Sequence, residues 1–419
     1  MKKTFLIIFI GLFAVLRSNG QEKPVTTLSL RQCVETGIAH NLQVQQGGFQ
    51  MQRQEVDWKQ AKLNRYPSLN GSGVYGINQG RSIDPFTNNY INENVNFSNY
   101  GLNSDLVLFN GFSRRNSIKQ YELGFEASKK DWQQQKDDIT INIILAYLQV
   151  LSNEDILRQA ANQAELTGSQ VQRLEVLNRE GAIPPSQLSD LRGQYANDQL
   201  NIIGAQESLE TSKLALCRLM NIPYDKNMVL ERLDADSFVG KYEDNPVKIY
   251  ETALRQFSLV RAAELREQSA EKAVRSIKGE LFPTLSLNGT VYSNYSSAAR
   301  NAVFLNTSDI PSSDYVMVNG TQSPVIYKQN NYRYDKIGYG RQLDNNLYTS
   351  FSLRLSVPIF NGLQTRNRVK LAKINLKEST LQNRATKTQL QQDIELAYIN
   401  MTKASERLKT LLEQVSAYS

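Results

Sequence analysis

The chain has 419 residues, yet only one histidine, two cysteines and eleven prolines. Each scarcity excludes something. His40, beside Asn41, cannot furnish a multi-histidine metal site, and no neighbouring serine or cysteine completes a nucleophile, base and orienter. Cys33 and Cys217 lie far apart with no C-x-x-C spacing. They read as two semi-buried thiols, not as a disulfide framework or a zinc site. There is no phosphate-cradling glycine loop, H-E-x-x-H or G-x-S-x-G motif, so no catalytic residue, cofactor or metal is assigned. No basic block interleaved with aromatics occurs, which argues against nucleic acid as a partner. Nowhere do 18 consecutive apolar residues occur, which rules out membrane-spanning helices. If the mature chain sits in a membrane, a closed β-barrel is the one spanning structure left. The mean hydropathy of -0.45 is compatible with that, because alternating barrel strands average out.

Charge and apolar content at the start of the chain have a different origin. Lys2 and Lys3 precede an apolar run from Phe5 to Leu16, followed by Ser18-Asn19-Gly20 and a polar stretch from Gln21. Twelve apolar residues are too few for a span of about 20. Residues 1–20 read as a secretory signal peptide, cleaved near Gly20. With Arg17 it contributes three positive charges to a formal total of +7.

Proline is absent between Pro85 and Pro184, Pro185 and Pro223, and Pro246 and Pro283, and after Pro358. Those gaps permit long helices. They hold apolar residues at mixed three-and-four spacing: Ile143, Tyr147, Val150, Leu157, Ala161, Ala164, Gly168 and Val171, then Ile202, Ala205, Leu209, Ser212, Leu216 and Leu219. A seam averaging 3.5 residues per turn makes helices coil around one another. One helix is expected over Ser113 to Arg179, on the order of 100 Å long.

Four stretches switch to period two. From Leu347 to Val357, Leu347, Thr349, Phe351, Leu353, Leu355 and Val357 alternate with polar residues that include Arg354. From Tyr100 to Leu108, Tyr100, Leu102, Leu106 and Leu108 oppose Asn103 and Asp105; Leu69 to Tyr75 and Leu285 to Tyr292 repeat the pattern, the latter with Asn288 on its polar side. Each reads as a strand with one apolar and one polar face.

Phe109-Asn110-Gly111 returns as Phe360-Asn361-Gly362, and the register holds through Leu145-Ala146-Tyr147 and Leu396-Ala397-Tyr398 at an offset of 251. Tyr66-Pro67-Ser68-Leu69 returns as Phe282-Pro283-Thr284-Leu285 at an offset of 216. The chain is therefore a tandem repeat. The first half is 21–244, with a hairpin at about 68–108 and a helical hairpin at about 112–220. The second is 245–419, with a hairpin at about 284–358 and a long helix. The 35 extra residues of the second hairpin fall in the Tyr-, Asn- and Ser-rich tract around Ser293 to Asn346, read as a long surface loop. Residue 419 corresponds to Gly168, so the second helical turn is expected near position 432, beyond Ser419. Four strands cannot close a barrel alone, since the smallest single-chain barrels have eight; copies must share one.

This ordered set, appearing twice from about Thr27 to Ser419, resembles the TolC-like outer-membrane efflux family. The resemblance implies an α+β membrane protein with long antiparallel coiled-coil helices forming a periplasmic α-barrel. Four transmembrane strands per subunit would contribute to a twelve-stranded β-barrel shared by a homotrimer in outer-membrane lipid. It implies a passive efflux or type I secretion duct partnered by a periplasmic adaptor (membrane fusion) protein and an inner-membrane transporter. Gly181, Ala182, Ile183, Pro184, Pro185, Ser186 and Leu188 look like the family's adaptor-gripping hairpin tip, where Gly181 ends one helix and Ser186 is placed to cap the next. A plain helix-helix turn is the alternative. The gate residues of the family belong to the second tip, so none is assigned. Asn103, Asp105, Asn288 and Arg354 are expected to line the lumen as general polar wall, not as a specific binding site. Tyr66, Phe109, Phe282 and Phe360 mark the helix-side rim, as an interfacial aromatic girdle or as junction packing. An exported structural or adhesive coiled coil and a simple porin are the competing readings.

Overall fold

A computed structural model describes residues 27–83, 88–233 and 245–418. The leader expected over residues 1–20 lies outside the described residues. In chain order the elements are β1 (Thr27–Leu28), α1 (Leu30–His40), α2 (Leu42–Leu63), β2 (Ser68–Asn78), β3 (Arg81–Ile83), β4 (Tyr90–Asn92), β5 (Val95–Asn110), α3 (Ser113–Arg179) and α4 (Pro185–Met220). Then follow β6 (Val229–Leu230), α5 (Pro246–Gln256), α6 (Ser258–Gly279), β7 (Thr284–Ser296), β8 (Arg300–Val318), β9 (Thr321–Lys336), α7 (Tyr339–Asn345), β10 (Tyr348–Ser356) and α8 (Gln364–Tyr418). The chain divides into two compact units, Met1–Met51 with Ser128–Leu259 and Ala397–Ser419, and Gln52–Ala127 with Val260–Leu396. No described helix is long and apolar enough to cross a membrane.

The first unit is helical and closes its own core. Ser29 starts α1 with a capping box, its hydroxyl accepting from Gln32 N while the Gln32 side chain accepts from Ser29 N. Asn41 carries the chain from α1 into α2: its Oδ1 accepts from Gln43 N, and its Nδ2 donates to Leu219 O at 2.9 Å. The helical seam behaves as its period requires. Ile143, Tyr147 and Val150 of α3 are fully buried against Cys33, Leu216, Cys217 and Met220. Of the later members of the seam, Ala164 and Val171 are buried and Ala161 is exposed, and Thr167, outside the expected series, is buried beside Gly168. Gly37 is needed for this packing, since a Cβ there would lie 2.1 Å from Ile143 Cδ1. The Tyr147 hydroxyl donates to the carbonyls that flank the short parallel pair β1–β6, 2.5 Å from Glu231 O and 3.1 Å from Leu28 O. Burial pushes the Tyr147 hydroxyl up to about 12 and the Cys33 thiol up to about 11. Both cysteines are buried and free.

The second unit is built on an antiparallel sheet of order β10-β7-β5-β2. The two hairpins share one register. Ser68 faces Asp105 in the first, and their repeat counterparts Thr284 and Ser356 face each other in the second. Beside the sheet, α6 is tied to α3 by Ser269 Oγ to Gln120 O at 2.9 Å and by Ser276 Oγ to Ser113 O at 2.9 Å. It is tied to α8 by Lys387 and Glu264 at 2.8 Å, and by Asn383 and Thr380 donating to Glu267. The buried apolar cluster here is small, Leu123, Ala127 and Leu265.

Three expectations need correction. The tract read as a long surface loop is the β8–β9 ribbon plus α7. It turns at Asn319-Gly320, both residues in the left-handed region with φ of 52° and 78°. That pair is the dipeptide a two-residue hairpin turn favours. It was hidden because the ribbon is held by polar cross-strand pairs, Thr307 with Asn330 and Asn306 with Asn331, which do not alternate with apolar residues. In β5 the register shifts between Val107 and Phe109, so Leu108 is a bulge residue and Phe109, not Leu108, continues the apolar face opposite Leu285. At the start of α4, Pro184 is the N-cap and Pro185 opens the helix, with no side-chain cap. Ser186 lies inside the first turn, because proline at the first helical position removes one orphan amide without needing a capping oxygen.

Candidate pore wall and docking tip

Strand register decides which side chains share a face. Reading across β2, β5, β7 and β10, one row is Ser68, Asp105, Asn288 and Ser352, and the next is Asn70, Asn103, Thr290 and Ser350. Ser286 stands between Val107 and Arg354 on the same side. Asn103, Asp105, Asn288 and Arg354 thus lie on one face, with Asp105 directly opposite Asn288. Thr290 Oγ1 donates to Asn103 Oδ1 at 3.1 Å, and Tyr292 hydroxyl to Asn99 Oδ1 at 3.0 Å, so the polar side chains are partly satisfied across strands. Thr290 shares this face, and Asn70, Asn99 and Tyr292, which were not singled out from sequence, complete it. Pairing the strands in register, not reading each alone, is the signal that finds them.

The opposite face is apolar: Leu69 on β2, Leu102 and Leu106 on β5, Leu285, Leu287 and Val291 on β7, and Phe351, Leu353 and Leu355 on β10. Much of it is uncovered, Phe351 being 80% exposed and Leu353 67%.

The strand-to-helix junctions explain the repeated Phe-Asn-Gly. Asn110 Oδ1 accepts from Arg114 N to start α3, and Gly111 and Phe112 both take positive φ, 62° and 61°. In the second copy Asn361 Nδ2 donates to Thr365 Oγ1 at 2.7 Å, and Gly362 and Leu363 both stand at 62°. A Cβ on Gly111 would lie 2.3 Å from Gly279 O and 2.7 Å from Phe282 Cβ. Phe109 packs edge-on against Phe112 at 5.5 Å, so Phe109 and Phe282 belong to one junction. Tyr66 lines an open cavity of about 810 Å³ with Asp105, Asn110, Arg114 and Glu280. Phe360 is 80% exposed.

At the helical turn, α3 ends in a Schellman motif. Gly181 has φ 74°, its N–H donates to Asn178 O at 3.0 Å, and Ala182 N–H donates to Leu177 O at 2.8 Å. Asn178 Nδ2 holds Ile183 O at 3.2 Å, and Arg192 bridges to Glu175 at 2.6 Å across the two helices. Leu188 is buried and anchors the turn, while Gly181, Ala182, Pro184, Pro185 and Ser186 are exposed and Ile183 is half-buried. Leu188 is therefore a support for the tip, and the others are its surface.

Residues 34–221 and 249–419 match the outer membrane efflux protein family. No curated protein matches the chain. Among solved structures it is similar to VceC, the outer membrane protein of Vibrio cholerae, at 15% identity and TM-score 0.70 over 91% of this chain and 80% of that one. It is similar to CusC at 16% identity and TM-score 0.67 over 93% and 77%. The CmeC outer membrane channel of Campylobacter jejuni is matched at 15% identity and TM-score 0.66 over 92% and 75%. Identities this low speak for fold, a TolC-like one of long helices joined to barrel strands, and the two-part family match over most of the chain speaks for kinship. The chain belongs to the outer membrane efflux protein family, a family of channel proteins, and is an efflux duct subunit of the outer membrane with a helical part extending into the periplasm.

Proposed function

We propose that three copies of this chain close one twelve-stranded barrel and form a passive exit duct that catalyses nothing. The support is the sheet itself. Its edge strands β10 and β2 have no neighbour among the described residues, and its two hairpins carry the same register. An open sheet edge in lipid would leave backbone groups unpaired at several kcal/mol each. The two tandem halves, 21–244 and 245–419, make β10 against the next copy's β2 the repeat equivalent of β5 against β7. Carried over to that pair, the β5–β7 register would put Leu353 opposite Tyr75 of the next copy, Leu355 opposite Gly73 and Ser356 opposite Ser72, and apolar side chains would stay on one face throughout. Asn103, Asp105, Asn288 and Arg354 line the lumen as a polar wall, and Tyr66, Phe109, Phe282 and Phe360 ring the helix-side membrane boundary.

The turn at Gly181 to Leu188 docks a periplasmic adaptor protein, and an inner-membrane transporter supplies the energy in a tripartite efflux or type I secretion assembly. An exposed loop fixed by two rigid helices and a Schellman motif is the kind of place where contact residues are presented. The test of the duct is oxidation of the Ser72→Cys/Ser356→Cys double variant in bilayers. It is expected to give a covalent ladder ending at three copies, with single-channel conductance. A purely monomeric product without conductance would remove the proposal. A photo-cross-linking residue at Ser186 is expected to capture the adaptor when the assembly is intact.

A further inference from the structure

The short helix α7 lies on the apolar face of the sheet, at the end away from the helices. Its contacts fix this. Tyr339 hydroxyl is 2.7 Å from the Tyr100 hydroxyl and 3.4 Å from Ser98 Oγ, and its ring lies 4.7 Å from that of Tyr295. Ser293 Oγ donates to Leu343 O at 2.6 Å. Ser98, Tyr100, Ser293 and Tyr295 all stand on the same face as Leu102, Leu106 and Leu287. Gln342, 1% exposed, locks the helix down: its Nε2 donates to Ser296 O and Ile337 O, and its Oε1 accepts from Ser296 N.

An element so placed cannot sit in hydrocarbon, because Tyr339, Arg341, Gln342, Asp344 and Asn345 make it polar and a charge in the apolar layer is strongly unfavourable. We propose that α7 is an interfacial strap that lies in the headgroup layer of the outer leaflet and sets the outer limit of the apolar belt. This rests on the reading that the apolar face meets lipid. From Phe109 to Tyr100 the strand spans on the order of 25 Å in height once tilted, the depth of a barrel's apolar band.

Two further observations fit a lipid occupant. Below α7 the same face has an apolar hollow of about 430 Å³ beside Gly71 and Gly73, walled by Leu102, Val291 and Leu347, a seat for an acyl chain. Above it, Arg300 and Lys336 stand directly opposite each other at the base of the ribbon, and Arg341 is exposed. None of the three has a carboxylate partner among the described residues. Like charges opposed across strands are destabilising unless an anion lies near, and phosphate-bearing headgroups supply one.

The test is depth-dependent quenching in proteoliposomes, with a fluorophore on single cysteines at Gly340→Cys in α7, Leu353→Cys on the apolar face and Thr321→Cys at the ribbon turn, in a Cys33→Ala/Cys217→Ala background. Lipids brominated on their acyl chains are expected to quench position 353 strongly and position 340 weakly. Nickel-chelating headgroups are expected to quench 340 strongly, and 321 is expected to respond to neither. Quenching of 340 by neither probe, or chiefly by acyl bromine, overturns the strap. If 353 escapes acyl bromine, the barrel reading itself fails; that outcome is separable from failure at 340 alone.

Discussion

Tyr147 and Phe351 are large aromatic residues on regular elements, yet Tyr147 is fully buried while Phe351 is 80% exposed. The helical unit around Tyr147 closes a core of its own, with eleven buried members. The largest contiguous cluster of the sheet unit has only three members, Val95, Phe125 and Val260 being buried apart from it, and the apolar face of its sheet is left exposed at Phe351, Leu353 and Leu355. Burial of apolar area contributes roughly 25 cal/mol per Å², so the first unit carries its stability within the chain. On the duct proposed above, the second would draw part of its stability from lipid and from neighbouring copies. Two tryptophans separate the regions for experiment: Trp132 packs at the edge of the helical core, and Trp58 of α2 stacks on Phe125 of α3 within the second unit, 5.5 Å between rings.

The strongest way to break the contrast is Tyr147→Ala. It is expected to cost about 3–5 kcal/mol through the cavity it leaves. In single-tryptophan versions, the denaturation midpoint reported by Trp132 should fall, and that reported by Trp58 should move much less. Equal shifts would mean that the two units unfold as one.

Next in size is Leu353→Arg, expected to cost about 2–4 kcal/mol in lipid, as a cation on the outer face of a barrel does. Ser352→Arg, one residue away on the polar face, should leave bilayer insertion near the wild-type yield. If both fold equally into vesicles, the assignment of faces is wrong.

Gly111→Ala and Gly362→Ala compare the two repeat junctions. Both residues need positive φ, worth about 1–2 kcal/mol for a residue with a Cβ. Only the first would also drive a Cβ to 2.3 Å from a carbonyl oxygen of its own chain. Measured by Trp58, Gly111→Ala should therefore be the worse variant, and parity would show that a neighbouring copy crowds Gly362 as Gly279 crowds Gly111.

The smallest effect is in pH. The hydrogen bond from Lys387, helped by Arg261, holds the Glu264 carboxyl below its ordinary 4.5, against the opposing effect of burial. A carboxyl with a lowered folded value contributes stability that is in place above pH 4.5 and disappears as pH falls through the folded value. Both partners are partly exposed, so the contribution should stay below about 1 kcal/mol. Acid titration of the Trp58-reported stability should flatten slightly in Lys387→Met, and an unchanged curve would show that the pair is fully screened.

Much of this molecule was legible beforehand. The proline gap and the seam through Ile143, Tyr147 and Val150 are local, periodic signals, and the long helix Ser113–Arg179 follows from them. Period two at Leu353 and Leu355 likewise specifies a strand. The bulge at Leu108 was not legible, because a single extra residue reverses a face without changing composition. The cap at Pro184 was misread because Ser186 has a favourable capping chemistry but the wrong position. In the β8–β9 tract the Asn319-Gly320 turn was present in the letters, outweighed by polar residues whose partners lie across the ribbon.

Sequence alone determined the tandem repeat and the amphipathic strands, because periodicity and duplication are written along the chain. Tertiary structure alone decided which polar residues share a face, that Leu188 props up the Gly181 turn from inside, and that α7 returns to lie on the apolar face of the sheet. Those depend on register and on contacts between residues far apart in sequence, such as Tyr339 with Tyr100 and Gln342 with Ser296, and no local pattern encodes a distance of that kind.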